Sequence, residues 1–323
     1  MAITEAHSRG LSEAFALTAS PFGASARAGK WAENGAMSST RNIHDKRLSD
    51  AWATLKAHAD EGLPLDPDAG RLAFADPEFL LRRETRGIRF QLELLKPDLE
   101  QQAMGIENTI VVFGSARFRS EEEAAALVVA AEAGGDEAVI RRARALARNA
   151  HYYEKARAFG KIVAHYSAGK DPSDMLFICT GGGPGIMQGA NRGAHEGDGI
   201  SVGLAIALPM EEAANPYVTP ALSFKFHYFA LRKMHFMMRA KALVAFPGGF
   251  GTLDELFEVI TLVQTRKSMQ VPIVLFGTDY WKRLLNFDVL IEEGVISPED
   301  LNLFQYADDP QDAWEIIKQF YRL

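Results

Sequence analysis

The chain of 323 residues contains a single cysteine, Cys179, which excludes an internal disulfide and a cysteine-rich zinc site. It has no run of about 18 apolar residues, the length that a membrane-spanning helix requires, and the acidic Glu5 and Glu13 lie where a secretory signal would be apolar. The chain has fewer basic than acidic residues: 35 Lys and Arg against 42 Asp and Glu, which gives a net charge of −7. This balance disfavours a broad nucleic-acid-binding surface. We therefore expect a cytoplasmic protein that binds neither nucleic acid nor membranes.

What remains is the composition of an ordinary globular protein, with 47% apolar and 24% charged residues. Residues 1–40 are rich in Ala, Ser and Gly without apolar periodicity, which predicts a tail that is either flexible or laid along the body of the protein. Residues 41–106 contain two helical patterns, at 41–59 and 77–99, and we expect them to form an N-terminal helical extension. Residues 107–323 are expected to form the main domain.

Within the main domain, short apolar segments alternate with helical patterns. This alternation predicts an α/β fold: a Rossmann-like, doubly wound parallel sheet with helices on both faces. The five predicted strands are 109–113, 175–180, 201–208, 242–246 and 271–276. The main predicted helices are 120–168 with a break at 134–135, a helix ending near 194, and 224–241, 252–265, 279–293 and 310–321.

Two glycine-rich loops, 181–185 and 247–251, follow predicted strands. Parallel sheets bind ligands at the carboxyl ends of their strands, and glycines at a helix start let backbone N–H groups approach an anion. A tight turn is the alternative explanation for each loop. The usual dinucleotide fingerprint is broken by Ile186, and no Gly-Lys-Ser/Thr follows either loop. Neither an NAD site nor a Walker-type ATP site is therefore indicated.

The second loop begins a longer motif. Residues 247–255, PGGFGTLDE, resemble the PGGxGTxxE signature of the LOG (Lonely Guy) family, also described as "possible lysine decarboxylase". Three further elements are similar to family motifs and occur in family order: GSAR at 114–117, GGGPGIM at 181–187, and an Arg-Lys pair at 232–233. The GGGPGIM loop is one residue shorter than the family's. The resemblance covers about residues 108–293, and the added N-terminal segments are similar to a longer bacterial branch.

The resemblance implies a phosphoribohydrolase that cleaves the N-glycosidic bond of a nucleoside 5′-monophosphate, releasing the base and ribose 5-phosphate. The substrate would be a cytokinin riboside 5′-monophosphate or an AMP-type purine nucleotide. It also implies a nucleotide-binding catalytic domain over 107–323, no cofactor or metal, and a homodimer or higher homo-oligomer. Two alternatives stay open: a non-catalytic nucleotide sensor, and a PLP-dependent lysine decarboxylase, although no lysine stands out as its Schiff base.

The predicted catalytic residues are Glu255 and Arg232. A carboxylate can stabilise a cationic sugar or activate water, and an arginine fork suits a phosphate or a sugar hydroxyl. The alternatives are a capping box formed by Thr252 and Glu255, and a solvated helix face for Arg232. The predicted substrate-binding residues are Gly248, Gly249, Gly251 and Thr252 around the phosphate, Gly182, Gly183 and Met187 around the ribose and base, and Ser115, Arg117 and Lys233.

Overall fold

The computed structural model describes residues 72–207 and 214–323, together with Ala53 and Ala57. The predicted tail, 1–40, and nearly all of the predicted helix 41–59 lie outside the described residues. In the part of the chain that is described, no helix is long and apolar enough to cross a membrane.

The strands of the described residues form one sheet of seven parallel strands, in the order β4-β3-β2-β1-β5-β6-β7. The strands are β1 Thr109–Phe113, β2 Phe177–Thr180, β3 Ser201–Ile206, β4 Ser223–Phe226, β5 Ala240–Ala245, β6 Ile273–Phe276 and β7 Phe304–Ala307. From β1 the chain adds strands on one side as far as β4, and then returns to add β5 to β7 on the other. The order therefore reverses between β1 and β5, which confirms the doubly wound α/β fold and places its switch point there.

Helices cover both faces of the sheet. Along β1, Val111 and Phe113 belong to one buried apolar cluster, whereas Ile110 and Val112 belong to another on the opposite face. The α-helices of the described residues are α1 Pro77–Leu81, α2 Arg86–Ala103, α3 Glu121–Gly134, α4 Glu137–Ser167, α5 Ile186–Glu196, α6 Phe229–Met238, α7 Phe250–Gln264, α8 Thr278–Leu284, α9 Phe287–Glu292 and α10 Pro310–Tyr321.

Two strands were not predicted. β4 occupies the start of the segment 224–241, for which a single helix was predicted, and α6 begins only at Phe229. In β4, Phe224 and Phe226 are buried while Ser223 and Lys225 are exposed, an alternation too short to separate from a helical pattern in the sequence. The predicted helix 224–241 was therefore wrong in its first turn. β7 was likewise missed, and the predicted helix 279–293 is divided into α8 and α9.

The described part of the N-terminal extension packs on α6. The predicted helical pattern 77–99 occurs as α1 and α2, with a turn between them. Asp76 caps α1, since its side chain accepts a hydrogen bond from the Phe79 N–H at 3.1 Å. The ring of Phe90 on α2 meets the ring of Tyr228 edge-on, with 4.3 Å between the centroids. The helix that carries Arg232 is thus in contact with the extension.

Candidate functional site

Three loops meet at the carboxyl ends of β1, β2 and β5, and the backbone of Ser115 joins them. The Ser115 N–H donates to the Pro247 carbonyl at 3.0 Å, and the Ser115 carbonyl accepts from the Ile186 N–H at 3.1 Å. Ser115 follows the central strand, Ile186 begins α5, and Pro247 precedes α7. The segment 114–117 after β1 therefore holds both glycine loops in place at the switch point of the sheet, where α/β proteins bind ligands.

The close approach of these loops requires glycine at one position above all. Gly185 has a φ of +73°, and a Cβ at this position would lie 2.2 Å from the Ser115 carbonyl oxygen. Both the left-handed backbone and the lack of space exclude a side chain. Both explanations given above for a glycine in this loop, a tight turn and a close approach of the backbone, therefore hold for Gly185.

A buried polar network holds the rest of the first glycine loop. The Asn215 side-chain amide donates to the carbonyls of Gly182 and Gly183 at 3.1 and 3.0 Å, and to Asn191 Oδ1 at 3.0 Å. Thr180 Oγ1 donates to the same Asn191 oxygen at 2.7 Å and accepts from the Gly182 N–H at 2.9 Å. The carbonyls of Gly182 and Gly183 are thereby occupied by protein donors.

Helix α7 begins two residues earlier than predicted, which removes one alternative for Glu255. Gly249 is the N-cap and Phe250 the first helical residue, and no side chain caps this end. Thr252 is therefore inside the first turn, and the capping box proposed for Thr252 and Glu255 is wrong. By contrast, α3, α4 and α10 begin with a side-chain cap from Ser120, Asp136 and Asp309.

The uncapped start of α7 has the features of an anion site. Gly249 and Gly251 are exposed, and nothing lies within 4 Å of where their Cβ atoms would be. Gly248 has no such space, because the Thr252 hydroxyl would lie 2.1 Å from a Cβ there. Among the described residues, the N–H groups of Phe250, Gly251 and Thr252 have no acceptor, and they lie at the positive end of the helix dipole. The hydroxyl of Tyr280, on α8 directly after β6, donates to the Gly248 carbonyl at 2.5 Å and holds this loop in place.

Arg232 and Glu255, the two predicted catalytic residues, are in direct contact. Arg232 Nη2 donates to Glu255 Oε1 at 2.6 Å, and both side chains are 12% exposed. The pair joins α6 to α7, the two helices that flank β5 in sequence. Arg232 therefore does not lie on a solvated helix face.

Burial dominates the electrostatics of Glu255. The loss of solvation raises the pKa of Glu255 from 4.5 to about 7, and it outweighs the attraction of Arg232 and Lys233, which lower the pKa. A carboxyl group with this pKa exchanges its proton near neutral pH. That is the property required of a general acid or base in this pH range.

The surroundings of Arg232 leave part of its guanidinium without a partner. Arg232 Nε is buried and makes no hydrogen bond to any other described residue. The rings of Phe229 and Phe236 lie 5.1 and 5.6 Å from the guanidinium carbon, a distance at which a cation is attracted to an aromatic face. A buried donor without an acceptor lowers the stability of the fold, and the Nε of Arg232 can donate a hydrogen bond to an oxygen of a ligand.

Lys233 points to a different part of α7. Its ammonium lies 2.8 Å from Asp254 Oδ2 and 2.8 Å from Glu258 Oε2. Burial opposes the charge, but hydrogen bonds to the two carboxylates raise the pKa of Lys233 overall. Since a Schiff-base lysine must lose its proton, these ion pairs disfavour that role. The predicted contact of Lys233 with substrate stays a prediction.

The remaining predicted residues border the glycine loops. Met187 is half-buried, with its sulfur and methyl group lying over Gly181 and Gly183, 2.9 Å from where their Cβ atoms would be. Arg117 is exposed, and its N–H donates to Ser115 Oγ at 3.1 Å. Met187 thus covers the first loop, and the Arg117 side chain lies at the solvent side of the junction.

Sequence reasoning missed Asn215 and Tyr280, which hold the two glycine loops. Asn215 follows a segment without periodicity, and Tyr280 stands in a helical pattern whose polar face gave no reason to single it out. The available signal is weak: Asn215 precedes Pro216, a pair typical of turns. Among the described residues, no group of three or more His, Cys, Asp or Glu could hold a metal ion.

Comparison with known proteins identifies the family of the chain. Residues 187–317 match the family described as "Possible lysine decarboxylase". A cytokinin riboside 5′-monophosphate phosphoribohydrolase of Arabidopsis thaliana, LOG4, is 32% identical over 170 residues, which are 50% of this chain and 76% of the relative. The chain therefore belongs to the LOG family.

Another relative matches over a smaller part of this chain. The probable cytokinin riboside 5′-monophosphate phosphoribohydrolase LOGL5 of Oryza sativa subsp. japonica is 36% identical over 125 residues, 38% of this chain and 49% of the relative. The chain thus spans about half the length of this curated relative. A molybdenum cofactor binding protein from the phototrophic bacterium Rippkaea orientalis is a structural match, with 17% identity, a TM-score of 0.41, and coverage of 67% of this chain and 98% of that one.

Replacing Gly185 should destabilise the junction of the loops. Gly185→Ala places a Cβ against the Ser115 carbonyl at a φ of +73°, so we expect the free energy of unfolding to fall by about 2 kcal/mol or more. Gly87→Ala is the matched control, because Gly87 lies in α2 with nothing within 4 Å. The control should be neutral or stabilising by up to about 1 kcal/mol in denaturant unfolding. Equal effects of the two substitutions would contradict the close approach.

The raised pKa of Glu255 predicts a pH dependence of stability. Folding raises this pKa from 4.5 to about 7, so the folded state binds more protons between these values and loses stability as the pH rises through them. Glu255→Gln cannot titrate. The free energy of unfolding of the wild type relative to the variant should therefore fall by about 3 kcal/mol from below pH 4.5 to above pH 7. Parallel stability profiles of the two proteins would show that Glu255 has an ordinary pKa.

Proposed function

We propose that this chain hydrolyses the N-glycosidic bond of nucleoside 5′-monophosphates, giving the free base and ribose 5-phosphate. The observation that carries the proposal is the buried Arg232–Glu255 pair beside the uncapped glycine-loop start of α7. The relatives named phosphoribohydrolases support the same reaction class.

The dimensions of the site suit a ribose 5-phosphate unit. The phosphate would be bound by the backbone amides of Gly249 to Thr252, at the start of α7. Glu255 lies further along the same helix, roughly 7 Å from its first residue at 1.5 Å per residue. The reacting C1′ of a nucleotide held by its phosphate would thus be near the carboxylate. Binding of the remote phosphate would supply energy that orients the bond to be cleaved.

The chemistry assigns a separate task to each of the two side chains. The C1′–N bond breaks with its electron pair leaving on the base, and a water oxygen forms the new bond to C1′. Glu255 accepts one proton of that water, or stabilises the positive charge that develops on the sugar. The departing base takes up a proton from solvent and Glu255 releases its own, so the products are the neutral base and ribose 5-phosphate. Arg232 orients the carboxylate through Nη2, and its buried Nε is free to donate to an oxygen of the substrate.

The proposal includes a purine nucleotide as substrate, AMP or a cytokinin riboside 5′-monophosphate, and action in the cytoplasm. It also includes a homodimer or higher homo-oligomer, supported by large apolar side chains that α6 and α7 expose. These side chains are Phe229, Met234, Met238, Phe250 and Phe257. The catalytic domain would be 107–323, with 41–106 as the helical extension and 1–40 as a flexible tail.

The first test is a panel of nucleoside 5′-monophosphates and the matching nucleosides, assayed for release of ribose 5-phosphate or ribose. If the α7 loop binds the 5′-phosphate, kcat/KM for AMP or a cytokinin riboside monophosphate should exceed that of the nucleoside by ~100-fold or more. Equal values would contradict the phosphate site. Nucleotide binding without release of base would instead favour a non-catalytic sensor.

The second test concerns the two side chains. Glu255→Gln removes the charge at nearly constant shape and should lower kcat by ~100-fold or more, while AMP binding largely survives. Arg232→Ala should lower kcat/KM by ~100-fold, and Arg232→Lys should restore only part, since an ammonium lacks the fork. Lys233→Ala is the neighbouring control, expected to have a smaller effect because its ammonium is held by Asp254 and Glu258. Normal turnover in the glutamine variant would exclude Glu255 as the base.

A further inference from the structure

The N-terminal end of α6 is capped from another helix. Glu93 on α2 accepts hydrogen bonds from the backbone N–H groups of His227 and Tyr228, at 3.1 Å to Oε1 and 3.2 Å to Oε2. Tyr228 is the N-cap of α6, and no side chain of α6 itself caps this end. Glu93 therefore accepts from the N-cap amide and the amide before it, as the N3 Glu of a capping box does for the N-cap amide, and it places a negative charge at the positive end of the helix dipole.

The extension also holds the other end of α6. Arg239, directly after α6, donates to the Ile106 carbonyl at 2.8 Å and pairs with Asp98 on α2 at 2.6 Å. Near the first end, Arg89 Nε donates to the Tyr228 hydroxyl at 3.3 Å. Contacts from 72–106 thus fix both ends of α6, although this segment lies outside the residues that match the family, 187–317.

The position of α6 decides where the guanidinium of Arg232 lies. Arg232 is in the first turn, and its N–H donates to the Tyr228 carbonyl at 3.2 Å. Its side chain makes one hydrogen bond, to Glu255, and Nε has no partner among the described residues. No other hydrogen bond among the described residues orients the guanidinium. A shift of the first turn of α6 would therefore move the guanidinium relative to Glu255.

We propose that Glu93 is a positioning residue for Arg232: by capping α6 from the N-terminal extension, it holds the guanidinium against Glu255. The effect on turnover rests on the proposed function, because turnover is the reaction that the pair would perform. The effect on the Arg232–Glu255 contact does not, since it follows from the hydrogen bonds of the chain alone.

The experiment uses the full chain with Glu93→Ala, Glu93→Gln and the control Glu100→Ala. Glu100 lies on the same helix, is exposed, and its side chain makes no hydrogen bond or ion pair with other described residues. The pKa of Glu255 is followed by carboxyl-carbon NMR and compared with that of Arg232→Ala. Since Arg232 lowers this pKa, Glu93→Ala should raise it toward the value in Arg232→Ala, Glu93→Gln should raise it less, and the control should match the wild type.

Kinetics with AMP give the second measurement. Glu93→Ala should lower kcat by ~10-fold or more, on the scale expected when a reacting group is displaced. In the Arg232→Ala background the same substitution should cause no further loss, because the residue it positions is gone. If Glu93 had only a structural role, Glu93→Ala would lower the melting temperature in the wild type and in the Arg232→Ala variant, and its effect on kcat would be the same in both.

The proposal is overturned if folded Glu93 variants keep the wild-type pKa of Glu255, or if Glu93→Ala lowers kcat equally with and without Arg232. Should Glu93→Ala fail to fold, Glu93→Gln decides, since its amide oxygen keeps one of the two hydrogen bonds, and a wild-type pKa there overturns the proposal. A wild type that releases no ribose 5-phosphate would overturn the proposed function, whereas the NMR titration would still decide the role of Glu93.

Discussion

The buried ion pair of Arg232 and Glu255 is the constraint on which the arrangement of the site depends. Both side chains are 12% exposed, so the loss of either partner would leave a charge or a protonated carboxyl in a site of low solvation. The pair therefore requires α6 and α7 to keep a fixed distance, although they belong to different crossovers of the sheet. The hydrogen bonds from Glu93 fix the start of α6, and those of the loop before α7 fix the start of α7, so both maintain this distance.

The loops at the strand ends are held by shared backbone partners rather than by their own side chains. Ser115 joins the two glycine loops through its N–H and carbonyl, and Asn215 satisfies the carbonyls of Gly182 and Gly183 in the first of them. Buried polar groups must find partners, and glycine-rich loops provide few from side chains. The neighbouring segments therefore supply them, whereas the first amides of α7 have no acceptor among the described residues.

The sheet could be predicted because its central strands are nearly continuous apolar runs, whose burial on both faces follows from composition. β4 and β7 could not, since four residues do not distinguish a period of two from one of 3.6. Arg232 and Glu255 were singled out through the resemblance of their motifs, whereas spacing alone also allowed a capping box at Thr252. Glu93 could not be predicted at all, because the backbone amides that it binds are far away in sequence and are set by tertiary packing.

A carboxyl group with a pKa of about 7 has a consequence for the thermodynamics of ligand binding. Near neutral pH, Glu255 is protonated in about half of the molecules, so any nearby charge changes the mean number of bound protons. A dianionic phosphate placed on the same helix would draw a proton onto Glu255 from the buffer. The heat of nucleotide binding measured by calorimetry would then contain the ionisation enthalpy of the buffer, and it would differ between phosphate and Tris at the same pH.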